Sequence, residues 1–277
     1  MLDRVANAAL QPLLRAGAHT LVRAGLGADS VTLIGFALGI AAAAVPEQGV
    51  MSLMPSGYVR VARGPAVAFL DVAPIGPDYL PGHAHADTLS FELSVHGREL
   101  VVNRGTSVYG TGPRRQIERG TAAHSTVQLG ELDSSEVWSG FRVGRRARAT
   151  APQIDGWSVQ GSHDGYAHLP GQPRHERRWQ FDADALHVFD SLPASAGIDA
   201  VARFHLAPGL MLEALQDSAW QVRDGTRAIA RIDVLAGQAR TTTTQHALRF
   251  GVLTDAATLE VTLHDGRSAV RVSWAIG

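Results

Sequence analysis

The sequence predicts a mainly β protein, an antiparallel β-sandwich preceded by a short helical leader. From Met51 onward, short apolar runs alternate with polar residues in the period-2 pattern of half-buried strands. Turn-forming pairs such as Asp155–Gly156 separate these runs. Segments with helical spacing are not evident between them, which favours an antiparallel sandwich over a parallel α/β sheet.

The first 50 residues differ from the rest and predict a separate helical leader, with residues 51–277 as the β domain. The leader is rich in Ala and Leu at helical spacing. Asp29 or Ser30 is a suitable cap for a second helix over residues 31–45. Its apolar stretch of about 15 residues is shorter than the roughly 20 that a bilayer requires. We expect a buried or interfacial helical hairpin, with weak membrane association through residues 31–45 as an alternative.

The clearest strand pair is the hairpin over Leu89–Val102. Its apolar residues alternate with Ser90, Glu92 and Ser94, and the pair His96–Gly97 turns the chain. Further strands are predicted at Val67–Val72, Ser125–Leu129, Ser158–Gly161, Arg178–Phe181, Leu186–Phe189, Val201–His205, Met211–Leu215, Ala228–Leu235, Ala247–Leu253, Leu259–Leu263 and Ala269–Trp274.

The composition argues against two kinds of site. The net charge of −1 gives no excess of Lys and Arg, so nucleic acid is not an expected partner. The chain has no cysteine, which excludes disulfides and thiolate metal sites.

A cluster of histidines introduces the predicted hairpin. His83 and His85 are two residues apart and project to the same side of an extended chain, and Asp87 continues that side. His124 precedes another predicted strand, and Asn103 ends the hairpin. Imidazoles with an oxygen ligand suit Zn²⁺. The alternative is a set of solvated rim histidines, or histidines hydrogen-bonded to backbone carbonyls.

Residues 56–149 contain four motifs in a fixed order: H-x-H-x-D-x-x-S-F, G-T-x-x-Y, R-x-T-x-x-H-x-T-V and F-R-V-x-R-R-A. In this order they resemble the β-sheet domain of the heparinase II/III-like polysaccharide lyases, and the resemblance covers about residues 51–277. It implies cleavage of uronate-containing acidic polysaccharides by β-elimination. It also favours a location in the periplasm or cell envelope.

The resemblance implies roles for the histidines and for one tyrosine. His83 matches the residue that faces the substrate carboxylate, and Tyr109 is the best candidate for the acid or acid/base that moves the proton. His85 and His124 match ligands of a structural zinc ion. Asn103 stands where the family has a carboxylate ligand, so a metal-free hydrogen-bonded cluster is the alternative to zinc. Asp87 could compensate if it turned toward the metal.

Basic and aromatic residues near the motifs suggest contacts to an acidic sugar. Arg114, Arg115 and Arg119 lie between Tyr109 and the later histidine, and a guanidinium pairs well with carboxylate or sulfate oxygens. The alternative is a solvated basic loop. Trp138 is the tryptophan that we expect to stack on a sugar, whereas the other tryptophans are expected in the core.

The leader has a different resemblance. Residues 1–48 resemble the first membrane segment of the CDP-alcohol phosphatidyltransferases. The Asp-rich active-site motif of that family has no counterpart here, since Asp265–Gly266 is followed by Arg267 and Ser268 without a later aspartate. A phosphatidyltransferase activity is therefore not expected.

Similar lyases place the sheet domain behind a large helical toroid, which supplies the other wall of the cleft. Fifty leader residues cannot replace it. We therefore expect the isolated chain to be a weak or inactive lyase that requires a helical-toroid partner. The alternative function is a non-catalytic carbohydrate-binding β-sandwich, which would bind acidic oligosaccharides without cleaving them.

Overall fold

The computed structural model describes residues 47–53, 56–76, 81–193, 197–216 and 218–274. All of these residues except Glu47 belong to a compact unit that spans Gln48–Gly277. The predicted leader, including residues 31–45, lies outside the described residues apart from its last four positions. None of the helices in the described part combines the length and apolar character needed to cross a bilayer.

Nineteen strands and one α-helix form the described part of the chain, with 3₁₀ turns at Pro81–His83 and Thr121–Ala123. The helix, α1, spans Pro113–Arg119. In chain order the strands are β1 (Gly49–Leu53), β2 (Tyr58–Arg63), β3 (Ala66–Asp71), β4 (Phe91–Val95), β5 (Arg98–Val102), β6 (Val127–Leu129), β7 (Val137–Trp138), β8 (Arg142–Val143), β9 (Gln153–Asp155), β10 (Ser158–His163), β11 (His175–Phe181), β12 (Ala185–Ser191), β13 (Ala200–Leu206), β14 (Leu210–Ala214), β15 (Ala219–Asp224), β16 (Arg227–Ala236), β17 (Gln238–Arg249), β18 (Val252–Thr262) and β19 (Arg267–Ser273).

The strands form two large antiparallel sheets, which confirms the predicted fold class. The first has the order β1-β2-β3-β4-β5-β13-β18-β17, with β6 paired to β13. The second has the order β14-β15-β16-β19-β12-β11-β10-β9, and β7 pairs with β8 separately. One hydrophobic core draws buried residues from both sheets, as in a β-sandwich.

Aromatic rings join the two sheets at the centre of the core. Phe91 on β4 lies edge-on to Trp179 on β11, with ring centroids 6.4 Å apart, and to Phe204 on β13 at 6.1 Å. All three side chains are buried. Such rings contribute large apolar areas and a defined packing geometry.

Two predicted features differ from the structure. Residues 247–253, predicted as one strand, contain the turn between β17 and β18, where Gly251 has a φ of +77°. Residues 113–119, for which the sequence predicted no helix or strand, form α1. Its signal was weak: Pro113 suits the start of a helix, but the charged residues that follow hide the apolar period.

A buried ion pair connects the second sheet to the rim of the first. Arg177 on β11 donates from Nε and Nη2 to the Asp190 carboxylate at 2.7 and 3.0 Å. Its Nη1 donates to the backbone carbonyls of Leu89 at 2.9 Å and Ser125 at 2.7 Å. The predicted hairpin began at Leu89, but β4 begins at Phe91, because Leu89 adopts a left-handed φ of 64°. The single nitrogen Nη1 therefore ties together two segments that are distant in sequence.

Two buried histidines extend this network, and their tautomers follow from one backbone amide. The Gly165 N–H donates to Nδ1 of His163 at 3.0 Å, so His163 carries its proton on Nε2. That proton points to Nδ1 of His175 at 3.2 Å, and Nε2 of His175 then donates to Asp190 at 2.8 Å. Burial lowers the pKa of both histidines, which keeps them neutral.

Acidification from about pH 8 to 5 is expected to reduce the free energy of unfolding through the buried histidines, an effect that carboxyl groups with a raised pKa, such as Asp71 and Asp87, oppose only in part. Burial is the largest cause of a lowered pKa at five buried histidines, and unfolding returns each pKa to about 6.5. Below that pH the unfolded chain binds protons that the folded chain does not, so stability falls by about 1.4 kcal/mol per pH unit for each histidine. The loss continues until the pH reaches the folded pKa, which is about 4 for His246. The five are His124, His163, His175, His205 and His246.

Urea unfolding across this pH range measures the effect. His205→Gln should make the pH dependence shallower, whereas His264→Gln, at an exposed position, should leave it unchanged. An unfolding free energy that stays constant across this range would contradict the assignment.

Candidate functional site

The segment with the two neighbouring histidines lies on the rim of the first sheet. The turn Pro81–His83 is followed by an irregular segment, with a further turn at residues 88–89, that leads to β4. The Ala86 N–H donates to the Arg119 carbonyl at 2.8 Å, which anchors this segment to the end of α1. His83 is exposed, whereas His85 is partly buried. The two imidazoles therefore have different environments despite their spacing.

His83 lies beside Tyr109. Their ring centroids are 5.6 Å apart and the rings are nearly perpendicular. Two residues before the tyrosine, Ser107 donates its N–H to the Glu118 carboxylate at 2.9 Å, and its hydroxyl donates to the same group. Burial alone would raise the pKa of Glu118, but the Ser107 hydrogen bonds and the Arg114 guanidinium lower it. The ionised carboxylate thus fixes the chain that carries Tyr109.

His85 and His124 form a second, more buried pair. Nδ1 of His85 lies 3.3 Å from Nε2 of His124. Burial lowers the pKa of His85 to about 4, with Arg115 and Arg119 as further causes. The pKa of His124 also falls well below its usual value, first through burial and then through His85. Both imidazoles are therefore neutral at physiological pH.

Arg115 fixes the tautomers of this pair. Its Nη1 donates to Nε2 of His85 at 3.1 Å and to the Thr106 hydroxyl at 3.2 Å. Because a guanidinium only donates, Nε2 of His85 accepts and Nδ1 carries the proton toward His124. His124 must then carry its proton on Nδ1. That atom is buried without a hydrogen bond among the described residues, although the Glu118 backbone lies near enough to favour its protonated form.

A third potential ligand lies next to the two imidazoles. Ligand atoms of His85, Asp87 and His124 all lie within 4.8 Å of one another. Burial raises the pKa of Asp87 to about 7. The Asn103 amide oxygen accepts from the Ser125 N–H at 2.9 Å. Asp87 is thus placed to supply an oxygen ligand beside the two imidazoles.

The His85–His124 pair has the spacing that a zinc site requires, but the hydrogen bond from Arg115 to His85 conflicts with zinc binding. In a tetrahedral site with Zn–N bonds of about 2.0–2.1 Å, two ligand nitrogens lie roughly 3.3–3.4 Å apart, which matches the 3.3 Å between His85 and His124. Ligation through Nδ1 would place a proton on Nε2 of His85, facing the donor Arg115. Zinc therefore fits only if Arg115 moves away and Thr106, now 3.5 Å from Nε2, accepts that proton.

A cavity of about 270 Å³ opens beside these residues, and sequence reasoning missed one of its walls. Tyr58, Asp71, His83, His85 and Asp87 are among the residues that line it. Burial raises the pKa of Asp71, and the neighbouring Asp87 charge raises it further. The only sequence signal for Asp71 was its place at the end of a predicted strand, which does not distinguish it from an ordinary turn residue.

The three arginines predicted to contact substrate have different environments. Arg119 is buried and donates to the carbonyls of Ala84, Trp138 and Arg142 at 3.0, 3.2 and 3.1 Å. It ties the segment before β4 to β7 and β8 and does not face solvent, whereas a sugar clamp requires an accessible guanidinium. Arg115 is also buried and contacts His85, as described above.

Arg114 and Trp138 are closer to solvent, but both already have partners. Arg114 donates to Glu118 at 2.7 Å and to the Gln245 side chain at 3.1 Å. The exposed Trp138 ring has the Arg142 guanidinium 4.8 Å above its centre. A sugar that stacked on that face would have to displace Arg142.

The end of the β17–β18 hairpin forms a wall that the sequence did not predict. Arg104 donates from Nε to the Gln245 carbonyl at 2.8 Å, and its own carbonyl accepts from the Ala247 N–H at 2.7 Å. The Gly251 N–H donates to the Ser107 carbonyl at 2.8 Å. These bonds join the hairpin end to the segment that carries Tyr109.

Fold and site together define a β-sandwich domain with a histidine-rich site on its rim. The family described as heparinase II/III-like, C-terminal, matches residues 47–275, and the chain belongs to this family. No curated protein sequence matches the chain significantly.

Solved structures of lyases share the fold. A heparinase III with methylated lysines aligns with a TM-score of 0.63 at 16% identity, covering 83% of this chain and 36% of that protein. A mutant of the heparan sulfate lyase HepC from Pedobacter heparinus aligns with a TM-score of 0.63 at 17% identity, covering 84% and 37%. The chain thus spans little more than a third of the length of these proteins.

Arg119→Met is expected to lower the free energy of unfolding by about 2–4 kcal/mol, because three carbonyls lose a charged donor. Urea denaturation measures this change. Arg148→Met, at an exposed position, is the matched control and should change stability by less than about 0.5 kcal/mol. Equal effects of the two substitutions would show that the hydrogen bonds from Arg119 to these three carbonyls do not stabilise the fold.

Proposed function

We propose that this chain is the sheet domain of a polysaccharide lyase that cleaves a uronate-containing acidic polysaccharide by β-elimination. The observation that carries the proposal is the exposed His83–Tyr109 pair, which lies beside the buried His85–His124 pair on one rim. One pair is accessible to a polymer and the other forms part of its support.

The reaction requires three chemical tasks at one sugar. The C5–H bond breaks, the C4–O bond to the leaving sugar breaks, and a C4=C5 double bond forms. The C5 proton is barely acidic until the uronate carboxylate is stabilised, and His83 would donate a hydrogen bond to that carboxylate. Tyr109, as phenolate, would take the C5 proton and then return a proton to the departing O4.

The polymer would require a second wall. Because the chain spans little more than a third of the similar structures, we propose that a helical toroid of the kind the resemblance implies completes the cleft. The chain alone would then retain saccharide binding and at most weak turnover. The alternative is a carbohydrate-binding module, which would bind the saccharide without catalysing elimination.

His83→Ala is expected to reduce the elimination rate by about 10²–10⁴-fold, because the substrate carboxylate loses its hydrogen-bond donor. The assay incubates the full chain with heparan sulfate, alginate and a bacterial exopolysaccharide and follows ultraviolet absorbance of the unsaturated uronate. Tyr109→Phe should reduce the rate similarly, and His264→Ala is the matched control at an exposed site.

Equal rates for wild type and His83→Ala would contradict the proposed role of this histidine. Saccharide binding by the wild type without any unsaturated product, at protein concentrations and reaction times at which even weak turnover is detectable, would favour the binding-module alternative.

We further propose a weak zinc site formed by His85 and His124, with an oxygen ligand from Asp87 or, as the sequence suggested, from Asn103. The spacing of the nitrogens and the nearby carboxylate support it, whereas Arg115 opposes it. When bound, zinc would stabilise the rim beneath His83, and none of the proton transfers above depends on it.

Asn103→Asp is expected to raise zinc affinity by about tenfold or more, because a carboxylate replaces a neutral amide close to His124. Competition with a chromophoric chelator measures the affinity, and His124→Ala should abolish the binding. An unchanged affinity in Asn103→Asp would place this residue outside the metal's ligand sphere.

A further inference from the structure

Four aromatic rings meet at the outer edge of the candidate site. Tyr109 is the centre of this group, with ring centroids 5.6 Å from His83, 6.0 Å from Phe141 and 5.4 Å from Phe250. Tyr109, Phe141 and Phe250 are 50%, 44% and 62% exposed. We call Tyr109, Phe141 and Phe250 the aromatic platform. A contiguous group of exposed aromatic rings often marks a surface that binds a ligand or a partner.

The platform is held in place and is not a loose loop tip. Phe250 occupies the turn between β17 and β18, and the next residue, Gly251, donates to the Ser107 carbonyl at 2.8 Å. Gly105 permits the close approach of the hairpin, because a Cβ there would lie 2.9 Å from the Ala247 carbonyl oxygen. A preorganised ring loses little conformational freedom when a ligand binds.

The nature of the occupant follows from what surrounds the platform. Its central ring touches His83, so a ligand seated on Phe250 shares space with any ligand at the candidate catalytic pair. A protein partner covering Phe250 would obstruct that pair. The exposed Arg142 directly follows Phe141 in the chain and provides positive charge for an acidic ligand.

We propose that the aromatic platform is a sugar-binding subsite, with Phe250 stacking on the pyranose ring next to the uronate that reacts at His83 and Tyr109. This inference rests on the proposed function and assigns a specific residue to polymer recognition. The apolar C–H face of a pyranose packs on the phenyl ring, while charged substituents at the ring edge remain in water or near Arg142. Phe250 thus contributes to affinity for the polymer and takes no part in proton transfer.

Isothermal titration of the full chain with tetrasaccharides from heparan sulfate and from alginate tests the subsite. Phe250→Leu keeps apolar volume but removes the ring, and we expect it to weaken binding by about threefold to tenfold. Phe250→Tyr should remain within about twofold of wild type, since the ring is retained. Phe69→Leu on β3, also an exposed phenylalanine, is the matched control and should leave affinity unchanged.

The two proposals fail in different readouts. Affinity of Phe250→Leu equal to that of wild type, or no tetrasaccharide binding by the wild type, would overturn the subsite. A changed oligomeric state of Phe250→Leu in light scattering with unchanged saccharide affinity would overturn it in favour of a protein contact. The proposed lyase reaction fails separately, if His83→Ala forms the unsaturated product as fast as wild type.

Discussion

A single buried guanidinium constrains the rim on which the site is built. Arg177 is completely buried, and Asp190 neutralises it through two hydrogen bonds. Its remaining donor, Nη1, holds the carbonyls of Leu89 and Ser125, which follow the two histidine segments. Removing the charge from water is costly, and the arrangement is stable because all three guanidinium nitrogens are hydrogen-bonded and a carboxylate pairs with the charge. The same hydrogen bonds hold Leu89 and Ser125 at a fixed distance, although the two residues are 36 positions apart in the sequence.

The candidate site separates the exposed His83–Tyr109 pair from a neutral, more buried framework. His85 and His124 are kept neutral by burial and by nearby arginines, and Arg115 sets their tautomers. His83 and Tyr109 remain accessible at the surface. This division suits the proposed elimination, in which a polymer must reach His83 and Tyr109 while their positions stay fixed. Two arginines near the motifs contribute to this framework. Arg115 and Arg119 donate to backbone carbonyls that would otherwise be unpaired.

Much of the fold could be predicted because strand patterns are local. Alternation in Leu89–Val102 and the His96–Gly97 turn predicted the β4–β5 hairpin, and the motif order predicted the family. Errors arose where local patterns conflict with tertiary structure. The apolar run 247–253 resembles a strand, yet backbone bonds to Arg104 and Ser107 accompany a turn there. The charged segment 113–119 lacks a clear apolar period, yet it forms α1.

The sequence by itself determined the residue types of the site, the antiparallel sandwich and the family, because motif spacing and period-2 alternation are properties of neighbouring residues. Only the tertiary structure decided which side chains meet. It placed Asp87 with His85 and His124, buried Arg119 among three carbonyls, and brought Phe250 to Tyr109 from a hairpin over a hundred positions away. The physical reason is that burial and hydrogen-bond partners depend on how the two sheets pack, and no local pattern in the chain specifies that packing.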